Sequence, residues 1–133
     1  MPRLDASFIA LVGIQAAHSV EEYLWRLYEV FPPARFVSGL VSQDLRHGFS
    51  IANVVLVTLG LWCFVWPIRR RWRSAMTIGW VWVTIELING VVHLLWSLRE
   101  LRYTPGVATA PVLLVLALYL ARQLQAEQMR AAA

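Results

Sequence analysis

The chain has 133 residues, of which 59% are hydrophobic and 15% charged, with seven Trp, no Lys and a net charge of +4. Soluble domains run near 45–50% apolar and about 25% charged, so a soluble fold of this size has no place to hide so much apolar surface. The Arg excess does not argue for nucleic acid, because it gathers as "PIRRRWR" between two apolar runs, where it reads as a juxtamembrane anchor. One cysteine, Cys63, excludes a disulfide framework or zinc ribbon within the chain and reads as a small buried or lipid-facing hydrophobe.

A spanning helix needs about 20 mostly apolar residues. The first such segment covers residues 6–27. Its "FIALVGI" could serve as the core of a signal peptide, but the preceding Arg3 is offset by Asp5 and apolar character resumes at Tyr23-Leu24-Trp25. Retention of the N-terminus is therefore expected. "VFPPARFVSGLVSQDLRH" comes next and predicts an interfacial turn or short amphipathic helix after Pro32-Pro33. The second segment, residues 48–66, is the cleanest and is expected to end at Pro67, which helices rarely continue through. The short turn at "PIRRRWR" makes it an antiparallel neighbour of the third, residues 75–96. "LRYTPG" then leads into the fourth, residues 106–124, with Pro105 and Gly106 as punctuation.

The expected fold is all-α: one domain over residues 1–133, an antiparallel bundle of four transmembrane helices. With "RRRWR" cytoplasmic, both termini are cytoplasmic as well. That side carries Arg3, Arg69, Arg70, Arg71, Arg73, Arg122 and Arg130 against Arg26, Arg35, Arg46, Arg99 and Arg102 opposite. The bias matches the positive-inside rule and a multi-pass protein of the inner (plasma) membrane.

Against this background the polar residues inside the segments stand out. An acidic residue near the centre of a spanning helix costs about 2.5–3.5 kcal/mol, whereas Leu, Ile or Val returns only about 0.3–0.6 kcal/mol. Such residues face the bundle interior and mark sites. His18, Glu21 and Glu22 are related as i, i+3 and i+4 and share one helical face. Glu86, Asn89 and His93 form a second stripe at i, i+3 and i+7, and Asp44 and His47 open the second segment at i, i+3. Counting along the helices places these stripes in one layer, from mid-membrane toward the outer face. Histidine and carboxylate from facing helices are how bundles build metal sites, and imidazole with carboxylate but no thiolate suits zinc, iron or manganese. A structural polar network, pairing of Glu21 or Glu22 with Arg26, or a proton or ion path uses the same residues and stays open. The Trp residues read as belt and packing side chains.

"HSVEE" at residues 18–22 resembles the signature of the HXXEE family of small bacterial membrane proteins, a His-x-x-Glu-Glu near the N-terminus. "NGVVH", with Asn89 and His93, and "YTPGVATA" at Tyr103–Ala110 resemble further elements of that family. The resemblance implies a compact multi-span fold with an intramembrane metal centre, and no particular reaction. The expected site has His18, Glu22 and His93 as metal ligands, with Glu86 and His47 as additional ones. Glu21 or Asn89 would handle protons or orient groups in catalysis. The cofactor expected is a divalent metal, zinc or iron first. The partners expected are the lipid bilayer and a lipid-like small molecule, with dimerisation open and no nucleic acid. The leading functional expectation is a metal-dependent hydrolase or oxidoreductase acting on an amphipathic substrate. A proton- or ion-coupled carrier and a non-catalytic membrane assembly factor are the rivals.

Overall fold

A computed structural model of the chain describes residues 2–132. All of its regular elements are helices: α1 (Pro2–Leu24), α2 (Leu27–Val30), α3 (Pro32–Val41), α4 (Leu45–Cys63), α5 (Ala75–Glu100) and α6 (Ala110–Ala132). A π-helical turn, Phe64–Ile68, continues α4. Two stretches, Leu45–Ile68 and Ala75–Glu100, are long and apolar enough to cross a membrane. The other two long helices fall short for a visible reason. α1 spends its second half on Gln15, His18, Ser19, Glu21 and Glu22, and the last third of α6 is "RQLQAEQMR".

Several boundaries differ from the sequence expectation, each for a local reason. α1 stops at Leu24, not near residue 27, because Arg26 takes a left-handed conformation (φ 55°) and its N–H turns back to the Tyr23 carbonyl at 3.1 Å. Pro67 does not end the second segment. Its ring cannot sit against the carbonyl four residues back, so the turn widens and Arg69 N–H reaches the Phe64 carbonyl at 2.9 Å. The fourth helix begins at Ala110 because Pro105 and Gly106 (φ 88°) hold a turn that includes a bond from Val107 N–H to the Thr104 carbonyl at 3.1 Å. The amphipathic helix expected after Pro32-Pro33 is α3, with Pro at its first turn, where a missing N–H costs nothing.

α1 packs on α4 and α6, α5 packs on α6, and α3 lies across the start of α4. The apolar core fills the end nearest the 69–74 turn: Phe8, Leu11, Val12, Trp82, Leu120 and Leu124 are all buried. Phe8 meets Trp82 edge to face, centroids 6.0 Å apart. An ion pair of 2.8 Å between Asp5 and Arg71 ties the start of α1 to that turn. Above this core the interior turns polar, with Gln15, His18, Glu22, Glu86 and His93 all buried. The outward faces show the reverse, exposing Val54, Val55, Ile88, Leu95, Val115 and Leu118.

α3 is clamped onto α4 by a backbone contact. A Cβ at Gly48 would fall on the Ser38 carbonyl, a rigid backbone group, whereas one at Gly13 would meet nothing within 4 Å. Gly to Ala inside a helix otherwise gains about 0.8–1.0 kcal/mol. Gly13→Ala should therefore raise the thermal midpoint of the purified protein, and Gly48→Ala should lower it, as overpacking costs about 1–3 kcal/mol. Shifts of the same sign in the two variants would show that α3 does not sit so close.

Candidate metal centre

His18 and Glu22 stand one turn apart on α1, and His93 faces them from the upper half of α5. Among the described residues, these three form the group of His, Cys, Asp or Glu side chains able to hold a metal ion, all buried, with their ligand atoms within 4.8 Å of one another. Glu22 Oε1 lies 2.9 Å from His93 Nε2 and 3.3 Å from His18 Nε2. The two imidazoles meet edge to face, centroids 4.7 Å apart.

The far side of each ring fixes its tautomer. His93 Nδ1 lies 2.6 Å from the Pro105 carbonyl oxygen, which can only accept, so Nδ1 carries the hydrogen. His18 Nδ1 lies 2.6 Å from Thr109 Oγ1. That hydroxyl has one hydrogen and donates it to Glu21 Oε2 at 2.6 Å, in preference to the Gly106 carbonyl at 3.4 Å. Its oxygen therefore accepts from His18, whose Nδ1 also carries the hydrogen. With both rings neutral, each Nε2 carries a lone pair facing a Glu22 oxygen, and His18 Nε2 has no hydrogen-bond partner. Three electron-pair donors then face one another. A cation relieves that arrangement. For bonds of about 2.0–2.2 Å in a tetrahedron, ligand atoms stand about 3.4 Å apart, within the spread seen here. The oxygen acceptors behind each imidazole are the partners that metal-ligating histidines use.

The loop between α5 and α6 supplies those acceptors and is held by Glu21. The Glu21 carboxylate accepts from Ala108 N–H at 3.1 Å, Thr109 N–H at 2.9 Å, the Thr109 hydroxyl and the Tyr103 hydroxyl. Burial first, and the bond to Glu21 second, push the Tyr103 phenol up to about 12, so it remains a donor near neutral pH. Gly106 sits over both rings: a Cβ there would meet His93 Nδ1 at 2.6 Å and His18 Cε1 at 2.8 Å.

The structure does not gather every residue the sequence singled out. Glu21 is not among the three ligand residues; it bonds the loop through both oxygens and reaches His18 only through the Thr109 hydroxyl. His47 is a correction too: its side chain is 73% exposed and pairs at 3.2 Å with Asp44. Asp44 caps α4 there through bonds to the N–H groups of Arg46 and His47. The His47 N–H above all holds the Asp44 carboxyl below its usual range. Glu86 is fully buried with no hydrogen-bond partner for either oxygen, yet it stands two turns of α5, about 10 Å, from His93 and outside the triad. Asn89 donates to Gln15 Oε1 at 3.4 Å and lines a cleft beside the centre. Arg26 pairs with Glu29 at 3.7 Å rather than with Glu21 or Glu22.

A family described as "Protein of unknown function with HXXEE motif" matches residues 9–120. The chain belongs to the HXXEE family. No curated protein and no solved structure matches it. In this HXXEE protein the three named letters divide their work: the His and the second Glu face the candidate metal position, and the first Glu anchors the covering loop. Gln15, Pro105 and Thr109 went unrecognised as site residues. A backbone carbonyl leaves no mark in a sequence, and a single Gln or Thr in an apolar helix is commonplace. "YTPGVATA" was the available signal, since it holds Tyr103, Pro105, Gly106 and Thr109 together.

Loss of the Thr109 hydroxyl removes the acceptor for His18 and a donor to Glu21 at nearly constant volume. Thr109→Val should weaken the affinity of purified protein for added zinc by about 10–100-fold, and Thr109→Ser should keep it. Calorimetric titration distinguishes them; equal affinities in the two variants would remove the hydroxyl from the centre.

Proposed function

We propose that this is an integral membrane protein that holds one divalent metal, zinc or iron, at His18, Glu22 and His93. It uses that metal for hydrolysis or oxidation of a lipid-like or amphipathic substrate. The observation that carries the proposal is the convergence of two Nε2 lone pairs and a carboxylate oxygen in a buried space. The membrane setting draws support from the two long apolar helices and from the inverted polarity of the bundle, polar inside and aliphatic outside. α1 and α6 would complete four spans, with both termini cytoplasmic in the inner membrane. Buried between apolar neighbours, the polar face of α1 need not meet lipid.

A bound zinc or iron would act as a Lewis acid on an oxygen of substrate or water, and iron would add redox capacity. The chain's own contributions follow from the geometry. Pro105 and Thr109 keep the two imidazoles oriented, and Gly106 lets the loop close over them. The aromatic wall of Phe31 and Trp96, 5.0 Å apart, limits water at the His93 side. Asn89 lines the cleft that reaches Glu22 and His93, where it can orient a substrate group.

One observation favours a second use of the same layer. Glu86 is fully buried without a hydrogen-bond partner for either oxygen, as a carboxyl on a proton or ion path would be. Metal-independent proton or ion flux in reconstituted vesicles would support a carrier. Stoichiometric metal with a network inert to substrates would leave the assembly-factor alternative.

Elemental analysis of detergent-purified protein tests the central proposal. His18→Ala and His93→Ala should each lose most bound metal, and the double variant little more, because residues of one network are not additive. Val20→Ala, on the exposed side of the same helix, should keep full content. Full metal in both single histidine variants, or none in the wild type, would reject the shared centre.

A further inference from the structure

Beside the triad lies a cavity of about 410 Å³ between α1, α3, α4 and α5. It falls toward the lower end of the range of small-molecule sites, about 300–1,000 Å³, which suits one chain-like body rather than a two-chain lipid. Its walls are apolar, with Phe31 and Val37 on the α3 side and Phe49, Ala52 and Leu56 along α4. One end carries Glu22 and His93, and next to them are three side-chain amides, Gln15, Asn53 and Asn89.

The amides are already ordered. Asn89 donates to Gln15 Oε1 at 3.4 Å, Gln15 Nε2 to Ser19 at 3.1 Å, Ser19 to Asn53 Oδ1 at 2.6 Å, and Asn53 Nδ2 to the Phe49 carbonyl at 3.0 Å. Those bonds use one of the two amide hydrogens of Gln15 and one of the two of Asn53. Among the described residues no Arg lines the cavity, so nothing there forms the bidentate pair that recognises phosphate or carboxylate. The ligand's polar end is therefore one that accepts or exchanges hydrogen bonds with amides and lies beside the triad.

We propose that the cleft is the binding site of a single-chain amphiphile whose polar end is a hydroxyl or carbonyl group. Its head lies among Gln15, Asn53 and Asn89 next to Glu22 and His93, and its chain runs between α3 and α4. The assignment rests on the triad as the reactive end, but its test separates the two.

A dodecyl alcohol carrying a photoreactive diazirine in its chain is the probe, applied to the metal-loaded full chain in lipid nanodiscs, with metal content measured on every sample. Labelling should map to the cleft walls of α3 and α4 and be displaced by dodecanol but not by dodecane, which lacks the polar end. Ala52→Trp, which fills the cavity, should cut labelling about tenfold, equivalent to about 1.4 kcal/mol of binding. Val37→Trp should do the same from the α3 side, while Val55→Trp, on the outward face of α4, should not. Retained metal certifies that each variant is folded. Labelling confined to Val54 and Val57, which line a groove on the other side of α4, would overturn the proposal. So would equal competition by dodecane, or undiminished labelling in both filled variants. Metal without cleft labelling sinks the ligand assignment and spares the metal centre; cleft labelling in protein that binds no metal does the opposite.

Discussion

Two imidazole nitrogens and a carboxylate oxygen, each able to offer an electron pair when the rings are neutral, are packed against one another away from water. Left alone, such a set repels itself and forgoes the hydrogen bonds that water would give it, a cost of several kcal/mol in an apolar interior. It is held in place because the far nitrogen of each ring is committed elsewhere. Pro105 holds one ring, Thr109 holds the other, and Glu21 holds Thr109. Every other feature of the upper half of the bundle serves or tolerates that arrangement.

The division of the fold into two halves follows. The end near the 69–74 turn is an ordinary apolar core of Phe8, Leu11, Trp82 and Leu120, and it supplies the cohesion. The opposite end gives up apolar packing for polar groups and compensates with a covering loop, a clamped α3 and an aromatic wall. α1 joins the halves, burying Leu4, Phe8, Leu11 and Val12 in its first half and Gln15, His18 and Glu22 in its second. The cleft between α4 and α5 opens where α4 turns to α1 and α3 for its packing and α5 turns to α6.

The helical periodicity of His18, Glu22 and His93 was legible because a costly polar residue in an apolar run has few reasons to be there, and spacing assigns it a face. Depth along the helix was less informative. His47 matched the expected layer by count, yet it lies at the exposed start of α4, where Asp44 needs its N–H as a cap partner. Glu86 shares a stripe with His93 but stands two turns away, a separation already contained in the i to i+7 spacing. Glu21 and Glu22 are adjacent and chemically identical, so only the position of the 103–109 loop tells the anchor from the ligand. Chain connectivity likewise overstated how closely the helices on either side of the Arg-rich turn would pack.

The central claim is that both rings keep their hydrogen on Nδ1 and offer Nε2 to a common cation. Nitrogen-15 NMR of histidine-labelled protein in bilayers, recorded while zinc is added, tests it most directly. His18 and His93 should retain protonated Nδ1 throughout, their Nε2 signals should move together to the metal-bound position at one equivalent, and His47 should not follow. Nε2–H tautomers at either ring, or zinc that shifts neither Nε2, would contradict the account.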